Sequence, residues 1–436
     1  MSRSAKLAKA ELDVWLYGCR IGRLAAPGAG KLAFEYSQEA AERFGSGSVI
    51  LSTSLPLDAA RRPRGDRVRA FFDGLLPEGE AREALFVRFG VERRDRFGLL
   101  EAIGRDCAGA LVVVPTGTSD PEAGARLEPL EDGELAALIA GVHERPLGAD
   151  PDRDVRVSLA GVQDKVLLAR TPEGLWARPV GGAPSTHILK PQDMRFPHYA
   201  IAEHFCLLLA RRLKVALTES EVISVQGRPV LAVERYDRSP THGHIERIHQ
   251  EDACQALAVD LASGGSKYQS DGGPSLRSFA HLLARYARQE DVARLLATTT
   301  LNVAVGNADA HAKNLSILHH ANATVSLAPA YDITPTTFYK KVPTSRGPVD
   351  MSHQLGMWIN NKRSIHQVSM DDIASEGASW GLGAKAAANI VAETLETIAA
   401  QAPGVAQSAE VPEEILAFVA SRTEALLAGK TAQAKG

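Results

Sequence analysis

The sequence predicts an α+β fold in which a small β-rich domain precedes a larger, two-lobed domain. Three observations lead to this prediction. The chain has 436 residues, which is too long for one ordinary hydrophobic core. Short strand-like runs separated by glycine and proline dominate the first half, whereas runs with apolar residues three and four positions apart dominate the second half. A stretch rich in Asp, Glu, Pro and Gly lies between them and has the composition of a connector.

The second domain divides into an N-terminal lobe (N-lobe) of strands, a hinge and a mostly helical C-terminal lobe (C-lobe). The predicted boundaries are 1–115 for the first domain, 116–154 for the connector and 155–436 for the second domain, with its N-lobe at 155–233, hinge at 233–237 and C-lobe at 238–436. Apolar patterning predicts strands at 165–169, 187–190, 221–225 and 230–233, and helices at 199–213, 275–288 and 290–305.

The composition excludes several classes of protein. A formal net charge of −3 gives the whole chain no electrostatic reason to bind nucleic acid or an anionic membrane. The four cysteines form no Cys-x-x-Cys pair, which argues against a zinc knuckle and a disulfide scaffold. The sequence contains neither an apolar stretch long enough for a membrane helix nor a secretory signal. We therefore expect a cytosolic (cytoplasmic) protein without a membrane partner.

The sharpest local motif is the segment 306–314, which follows a predicted helix and precedes a predicted strand. It separates Asp309 and Asn314 by five positions, the spacing of the catalytic loop of protein kinases. There the Asp accepts the proton of the substrate hydroxyl and the Asn binds magnesium. The arginine that usually precedes the Asp is replaced by Ala308, and His311 follows two positions later, as in lipid and atypical kinases.

Asp332 lies 18 residues beyond Asn314, within Tyr331-Asp332-Ile333, and follows a predicted strand and a proline turn. This is where kinases carry their second magnesium ligand. Two oxygen ligands completed by phosphate oxygens suit magnesium, which keeps waters and rarely has an all-protein cage. The alternative is that Asp332 only caps a helix or forms an Asx-turn.

Upstream features complete a possible phosphate site. Lys190 ends a predicted strand and would meet the α- and β-phosphates, with Glu203 on the next helix as its ion-pair partner. The alternatives are an exposed strand-end lysine and a solvated helical glutamate. Residues 158–165, here called the phosphate loop, would cover the phosphates. The segment contains only one glycine and so does not match the Gly-x-Gly-x-x-Gly pattern, and a plain hairpin turn remains an alternative.

These motifs, taken in order, resemble the HipA family of serine/threonine-protein kinase toxins, and the resemblance covers nearly the full chain. It rests in the second domain on segments 158–165, 186–190, 232–238, 249–252, 267–274, 309–314 and 331–333. In the first domain, segments 55–57, 71–77 and 103–106 look like the N-terminal subdomain of the family. The resemblance implies a two-lobed protein-kinase-like fold and an enzyme that uses ATP and Mg²⁺.

The resemblance also implies a role for each matching residue. Asp309 would be the catalytic base, with His311 and Lys313 as further catalytic-loop residues, and Asn314 and Asp332 would bind Mg²⁺. The ATP-binding residues would be Ser158, Ala160, Gly161, Val162, Gln163, Asp164, Lys165 and Lys190, together with the hinge backbone of Val233, Glu234 and Tyr236. Ser158 corresponds to the serine that these kinases phosphorylate on themselves, which ejects the loop and silences the enzyme. The alternative for Ser158 is a strand end with a locally satisfied hydroxyl.

The implied partners are a HipB-like helix-turn-helix antitoxin, DNA reached through that antitoxin, and a protein substrate such as an aminoacyl-tRNA synthetase. Two other functions stay open at this point. A small-molecule or lipid kinase is favoured by Ala308 and His311 but disfavoured by the first domain. A catalytically idle corepressor is disfavoured because it would have no chemical need for all four of Asp309, Asn314, Asp332 and Lys190. A hydrolase is weaker still, since the chain carries neither His-Glu-x-x-His nor Gly-x-Ser-x-Gly.

Overall fold

The structure of the protein is a computed structural model that describes residues 10–28, 30–63, 65–161, 163–241, 244–343 and 347–433. Its first domain is an antiparallel sheet of spatial order β3-β2-β1-β4 covered by helices. The elements are β1 (Glu11–Leu16), β2 (Cys19–Gly28), β3 (Lys31–Tyr36), α1 (Gln38–Phe44), α2 (Arg67–Asp73), α3 (Gly79–Arg88), α4 (Arg96–Ile103) and β4 (Val112–Pro115).

A six-stranded sheet of order β5-β7-β6-β8-β10-β9 forms the N-lobe. Its elements are β5 (Arg126–Pro129), α5 (Asp132–Ala140), β6 (Val166–Arg170), β7 (Trp176–Val180), β8 (His187–Pro191), α6 (Tyr199–Arg212), β9 (Ser220–Val225) and β10 (Arg228–Glu234). The segment predicted as a connector thus contributes an edge strand that pairs with β7, and a helix with a capping box whose apolar face packs on this sheet.

The C-lobe contains the remaining helices of the described residues and several short antiparallel strand pairs. Its elements are β11 (Arg238–Thr241), β12 (His244–Arg247), β13 (His249–Asp252), α7 (Ala253–Ala256), α8 (Leu276–Tyr286), α9 (Gln289–Val305), β14 (Ser316–His319), β15 (Val325–Leu327), β16 (Lys341–Val342), β17 (Val349–Asp350), β18 (Gln354–Ile359), β19 (Lys362–Ser364), α10 (Met370–Ala378), α11 (Ala384–Ser408) and α12 (Glu413–Leu427). The predicted α+β class is confirmed, because a β-rich N-terminal part precedes a mainly helical C-lobe.

The helix α9 is central to the C-lobe because α8, α10, α11 and α12 all contact it. Buried apolar residues recur along it, among them Leu295 and Leu301, and a left-handed Gly306 ends it. A Cβ atom at Gly306 would lie 2.6 Å from Thr337 Oγ1, so the turn that starts the predicted catalytic loop requires glycine. Within the described ranges, none of the helices combines the length and the apolarity needed to cross a bilayer.

The first domain is joined to the hinge by a buried cluster of charged and polar side chains, here called the hinge network: Asp106, Ser185, Arg235, Asp237 and Arg238. Arg238 Nη2 donates to Asp106 Oδ1 at 2.8 Å, and Ser185 Oγ donates to Asp106 Oδ2 at 2.6 Å. Arg235 donates from Nε and Nη2 to the two oxygens of Asp237, at 2.9 and 2.8 Å. The network therefore fixes the hinge relative to the first domain.

A second junction joins the first domain to the C-lobe. The buried Glu251 carboxylate on β13 accepts hydrogen bonds from Ser52 Oγ at 2.6 Å and from Thr53 N at 2.9 Å. His319 on the neighbouring strand β14 lies 3.0 Å from the same carboxylate. All four cysteines are buried free thiols.

Candidate active site

A cavity of about 390 Å³ lies between the lobes, below the hinge, and the first domain forms part of its wall through Gly74, Glu78 and Ala108. Most of the residues predicted for the site line this one cavity: Ala160, Gly161, Gln163, Lys165, Lys190, Val233, Glu234, Tyr236, Asp309, His311, Lys313, Asn314 and Asp332. Its volume lies in the range of small-molecule and cofactor sites. Residues far apart in sequence therefore meet at one site of suitable size.

Lys190 and Glu203 form a buried ion pair on the N-lobe side of the cavity. Lys190 Nζ lies 2.6 Å from Glu203 Oε1, and the two residues are only 8% and 1% exposed. Strand β8 holds Lys190 opposite Leu231 of β10, while α6 carries Glu203. Burial disfavours the charged amine, but Asp332 and Glu203 outweigh it and raise the pKa of Lys190. The alternatives of an exposed lysine and a solvated glutamate do not hold.

Asp332 joins this pair to the catalytic loop. Its Oδ1 accepts from Lys190 Nζ at 2.8 Å and its Oδ2 accepts from Asn314 Nδ2 at 2.8 Å. These are side chains distant in sequence, so the carboxylate is not occupied in a local Asx-turn. Asp332 has a left-handed backbone, with φ of 57°, and its side chain is 43% exposed to the cavity. Although burial opposes ionisation, Lys190 holds the pKa of Asp332 well below its usual range. We call Lys190, Glu203, Asn314 and Asp332 the cleft network.

Asp309 lies three residues after Gly306 at the open side of the cavity. Its Oδ1 accepts a hydrogen bond from the Tyr268 hydroxyl at 3.0 Å. The backbone beside it is fixed, because Ala308 N donates to Thr336 Oγ1 at 3.0 Å and Ala308 O accepts from Gly356 N at 2.8 Å. Partial desolvation within the cavity raises the pKa of Asp309. An accessible carboxylate with a raised pKa is a better proton acceptor than an ordinary one.

His311 and Lys313 follow Asp309 but differ in their surroundings. Burial lowers the pKa of His311 to about 4, so its ring is neutral at pH 7, and the ring packs edge-on against Tyr268 at 5.1 Å between centroids. Lys313 Nζ lies 2.6 Å from Asp252 Oδ2 and 3.8 Å from Glu78 Oε1. Burial opposes its charge, yet these carboxylates raise the pKa of Lys313. Lys313 therefore supplies a fixed positive charge and no proton acceptor.

The phosphate loop folds against the N-lobe side of the cavity. Lys165 Nζ donates to Ala160 O at 2.8 Å, and Gly161 O accepts a hydrogen bond of 3.4 Å from Glu78 N of the first domain. Gly161 has φ of 121°, and a Cβ atom there would lie 2.4 Å from Lys165 Nζ, so glycine is required. Burial and the nearby Lys190 lower the pKa of Lys165 to about 8. The loop is a wall of the cavity and not a detached hairpin.

Three predicted loop positions do not contribute described side chains to the cavity. Ser158 is fully buried, and its Oγ donates to Leu75 O of the first domain at 2.7 Å. Asp164 lies 3.2 Å from His143 Nδ1, outside the cavity lining. Val162 lies outside the described residues. A fully buried Ser158 has no access to a phosphoryl group unless the loop leaves this position.

The hinge forms the inner end of the cavity, where β10 ends. Glu234 N donates to Glu219 O at 2.9 Å, and the ring of Tyr236 packs against Tyr331 at 5.5 Å between centroids. The Tyr236 hydroxyl donates to the Gln250 side chain. Arg235 and Asp237 of this segment belong to the hinge network, so buried hydrogen bonds hold the hinge where it lines the cavity.

Sequence reasoning assigned no role to four residues that shape the site. Glu78 of the first domain lies 3.1 Å from Lys267 Nζ, Asp252 pairs with Lys313, and Tyr268 contacts Asp309. Lys267 and Tyr268 belong to the segment 267–274, which already marked the resemblance. Glu78 and Lys267 are 189 residues apart, and no local sequence pattern predicts an ion pair at that separation.

Comparison with known proteins matches both domains. The family model described as "HipA N-terminal domain" matches residues 12–114, and "HipA-like C-terminal domain" matches residues 157–402. A Sinorhizobium fredii protein named "Putative kinase Y4mE" is 35% identical, over 89% of this chain and 91% of the relative. "Serine/threonine-protein kinase toxin HipA" of Shewanella oneidensis is 29% identical, over 81% of this chain and 79% of the relative.

A solved structure agrees with these relatives. It is the Shewanella oneidensis complex of HipA, HipB and its operator DNA, in which a chain 27% identical to this one superimposes with a TM-score of 0.76 over 96% of both chains. Both domains, their order and their arrangement in space therefore agree with one family, and the chain belongs to the HipA family of kinase toxins.

Proposed function

We propose that this chain is a toxin-type protein serine/threonine kinase that uses ATP and Mg²⁺ in the cytosol. The observation that carries the proposal is the cleft network beside Asp309 in one cavity. A lysine in a buried ion pair, two oxygen-bearing side chains and an accessible carboxylate are the parts that phosphoryl transfer needs. A purely structural role would not explain why these groups converge on an open cavity.

Asn314 and Asp332 would hold the magnesium ion. Carboxylate and amide oxygens are ligands that Mg²⁺ accepts. The two side chains are neighbours at the cavity wall, where Asn314 Nδ2 donates to Asp332 Oδ2, and they offer both kinds of oxygen. Once bound, the ion would neutralise phosphate charge. Lys190 would hold the α- and β-phosphates while Glu203 keeps it charged and in place.

Asp309 would act as the general base. As the acceptor serine oxygen bonds to the γ-phosphorus, Asp309 takes the serine proton, and the bond from the γ-phosphorus to the bridging oxygen breaks. ADP leaves with that electron pair. The raised pKa of Asp309 supports this role, because a base is most effective when its pKa approaches the working pH.

We further propose that Ser158 is phosphorylated by the enzyme itself and that this turns the enzyme off. The hydroxyl now donates to Leu75 O in a fully buried position. A phosphoserine has no proton for that carbonyl and carries about −1.5 to −2 charges, so the modified loop is expected to stay out of its buried position. Calorimetric titration of ATP into phosphorylated and dephosphorylated protein tests this, and equal dissociation constants would rule out the switch.

The proposed partners are a HipB-like helix-turn-helix antitoxin, operator DNA through that antitoxin, and an aminoacyl-tRNA synthetase as the phosphorylated protein. Support for the antitoxin comes from the matching Shewanella oneidensis structure, which contains HipA, HipB and operator DNA. The synthetase is suggested by the family resemblance, because its loss would stop translation.

Phosphoproteomics after brief induction tests the activity and identifies the substrate. The matched control is Asp309→Asn, which keeps the size of the side chain and removes the base. Wild-type protein should add phosphate to Ser158 and to one main cellular protein, and the variant should add neither. If both proteins leave the phosphoproteome unchanged, the chain is an idle corepressor and the kinase proposal is wrong.

A further inference from the structure

We propose that Tyr268 is a positioning residue that holds the Asp309 carboxylate through one oxygen and leaves the other oxygen for the acceptor hydroxyl. This inference rests on the proposed kinase function. It addresses a gap in the catalytic loop, where Ala308 replaces the arginine that usually precedes the base. The geometry points to a side chain from a different segment, 41 residues earlier, as the group that orients Asp309.

The segment 266–274 is folded so that Tyr268 has one fixed position. Both backbone polar groups of Tyr268 form hydrogen bonds within the segment. Tyr268 N donates to Ser266 Oγ at 3.1 Å, and Tyr268 O accepts from Gly273 N at 2.9 Å. Gly272 is left-handed, with φ of 86°, and a Cβ atom at Gly273 would lie 2.4 Å from Ser266 O. The two glycines are therefore needed for a turn that closes on Tyr268.

Both neighbours of Tyr268 are bound to the rest of the C-lobe. Lys267 O accepts a hydrogen bond from Ala312 N of the catalytic loop at 3.1 Å. Gln269 Oε1 accepts one from Trp358 N of β18 at 2.7 Å. The tyrosine backbone is thus fixed relative to the same loop that carries Asp309, which is what a positioning residue requires.

The side chain of Tyr268 is held on two sides. Its ring packs edge-on against His311, with 83° between the ring planes, and Lys267 Nζ lies 5.7 Å from the ring centroid. Lys267 is itself fixed by Glu78 of the first domain, at 3.1 Å. Burial and the neighbouring Asp309 raise the pKa of Tyr268, so the phenol keeps its proton and donates a hydrogen bond to Asp309 Oδ1.

A single hydrogen bond of this kind limits rotation of the carboxylate without occupying both oxygens. A carboxylate has about four acceptor sites, so Asp309 retains the capacity to accept the proton of a serine. The other charged groups that act on Asp309 are Asp332 and Lys267, and they differ in sign. Tyr268 is therefore a neutral hydrogen-bond donor that fixes the orientation of the Asp309 carboxylate, while the two charged groups act on its pKa.

Tyr268→Phe tests the proposal because it removes the hydroxyl and keeps the ring that packs on His311. Self-phosphorylation would be followed over a series of Mg-ATP concentrations, giving a maximal rate and a half-saturating ATP concentration. Loss of a hydrogen bond to a charged group is expected to lower the maximal rate by about 10- to 100-fold. The half-saturating ATP concentration and the midpoint of thermal unfolding should not change, because Tyr268 is not assigned to ATP binding or to the core.

The matched control is Tyr286→Phe, at the end of α8 and outside the cavity, which should behave as wild type in all three measurements. An inactive wild type would contradict the proposed function itself. An active wild type with an equally active Tyr268→Phe would overturn the positioning role alone. If Tyr268→Phe changes the maximal rate and the half-saturating ATP concentration equally and also lowers the midpoint of thermal unfolding, Tyr268 has a structural role. If the wild type carries phosphate on Tyr268, this residue is a substrate. Either result would also overturn the proposal.

Discussion

The hinge network and the cleft network are two clusters of charged and polar side chains, and they differ in what surrounds their carboxylates. Asp106 and Asp237 are almost completely buried, and each of their oxygens accepts from protein donors. Asp332 also accepts from protein donors on both oxygens, yet its side chain opens onto the cavity. One set of charges is enclosed by the fold, whereas the other faces the place where a ligand would bind.

This difference has an energetic meaning. Removing one partner from an enclosed set leaves a buried charge without compensation, which typically costs about 3–5 kcal/mol of stability. A carboxylate that opens onto solvent, such as that of Asp332, loses less, because water replaces the missing partner. The same kind of substitution should therefore affect stability in the hinge network and activity in the cleft network.

Asp332→Asn should have the largest effect, and it should act on catalysis. Loss of a metal ligand is expected to lower phosphoryl transfer by at least about 10²- to 10⁴-fold, or about 3–5.5 kcal/mol in the barrier. Lys190 keeps Glu203 as its partner, so the free energy of unfolding should change by less than about 1 kcal/mol. Single-turnover phosphorylation and urea unfolding measure the two quantities, and wild-type turnover would remove Asp332 from the metal site.

Asp106→Asn should have the converse effect. It removes the carboxylate charge beside Arg235 and Arg238 at a fully buried position, so we expect a loss of about 3–5 kcal/mol in the free energy of unfolding. Activity per folded molecule should stay within a few-fold of wild type. Asp58→Asn, at an exposed position of the same domain, is the matched control and should be silent. A stable Asp106→Asn protein would mean that the hinge network is dispensable.

His249→Gln should alter how stability depends on pH. His249 is fully buried next to the hinge network, its Nε2 donates to Leu51 O at 2.8 Å, and burial lowers its pKa to about 3. Because the unfolded chain binds the proton near pH 6.5 and the folded protein does not, stability is lost as pH falls from about 6.5 toward 3. From pH 7.5 to pH 5 this one group should remove about 2 kcal/mol.

Glutamine can still donate to Leu51 O but does not titrate, so this part of the pH dependence should disappear in the variant. Denaturant unfolding at the two pH values measures it. His281→Gln, at an exposed position of α8, should leave the wild-type pH dependence intact. An unchanged pH dependence in His249→Gln would show that His249 is not a neutral buried group.

Glu78→Gln should have the smallest effect, and it should act on ATP affinity. Glu78 partly neutralises Lys267 and Lys313 at the cavity wall, so its removal makes the cavity more positive. We expect ATP to bind about two- to five-fold more tightly, since partly solvated charges interact by about 0.5–1 kcal/mol. Calorimetric titration measures this, with the exposed Glu101→Gln as control. Weaker binding would show that Glu78 acts by positioning the phosphate loop and not by its charge.

Much of the second domain could be predicted because its signals are local. Helices α6 and α9 carry regular apolar spacing, and the structure places them at Tyr199–Arg212 and Gln289–Val305, close to the predictions. The spacing of Asp309 and Asn314 lies within one loop, so it is visible in the sequence. Lys190 could be placed because it directly follows the apolar pair Ile188-Leu189, and the structure includes it in strand β8.

Other features could not be predicted because their partners lie far apart along the chain. Asp106 and Arg238 are 132 residues apart, and neither neighbourhood shows that both are buried together. Strand β5 is a short edge strand whose residues are mostly exposed, so it has no apolar alternation, and its segment was predicted only as a connector. Tyr268 could be recognised as part of a motif, but only the folded chain brings its hydroxyl to Asp309.

The junctions of the first domain have a practical consequence for anyone who divides the chain. Asp106 supplies the carboxylate for Arg238, and Ser52 and Thr53 supply hydrogen bonds to Glu251, so each half contains buried charges whose counterparts are in the other half. In a fragment that begins at residue 155, Arg238 and Glu251 would lose these partners, and the apolar residues around them would be exposed to solvent. We therefore expect the two domains to melt in one cooperative transition, and neither to be stable when expressed alone.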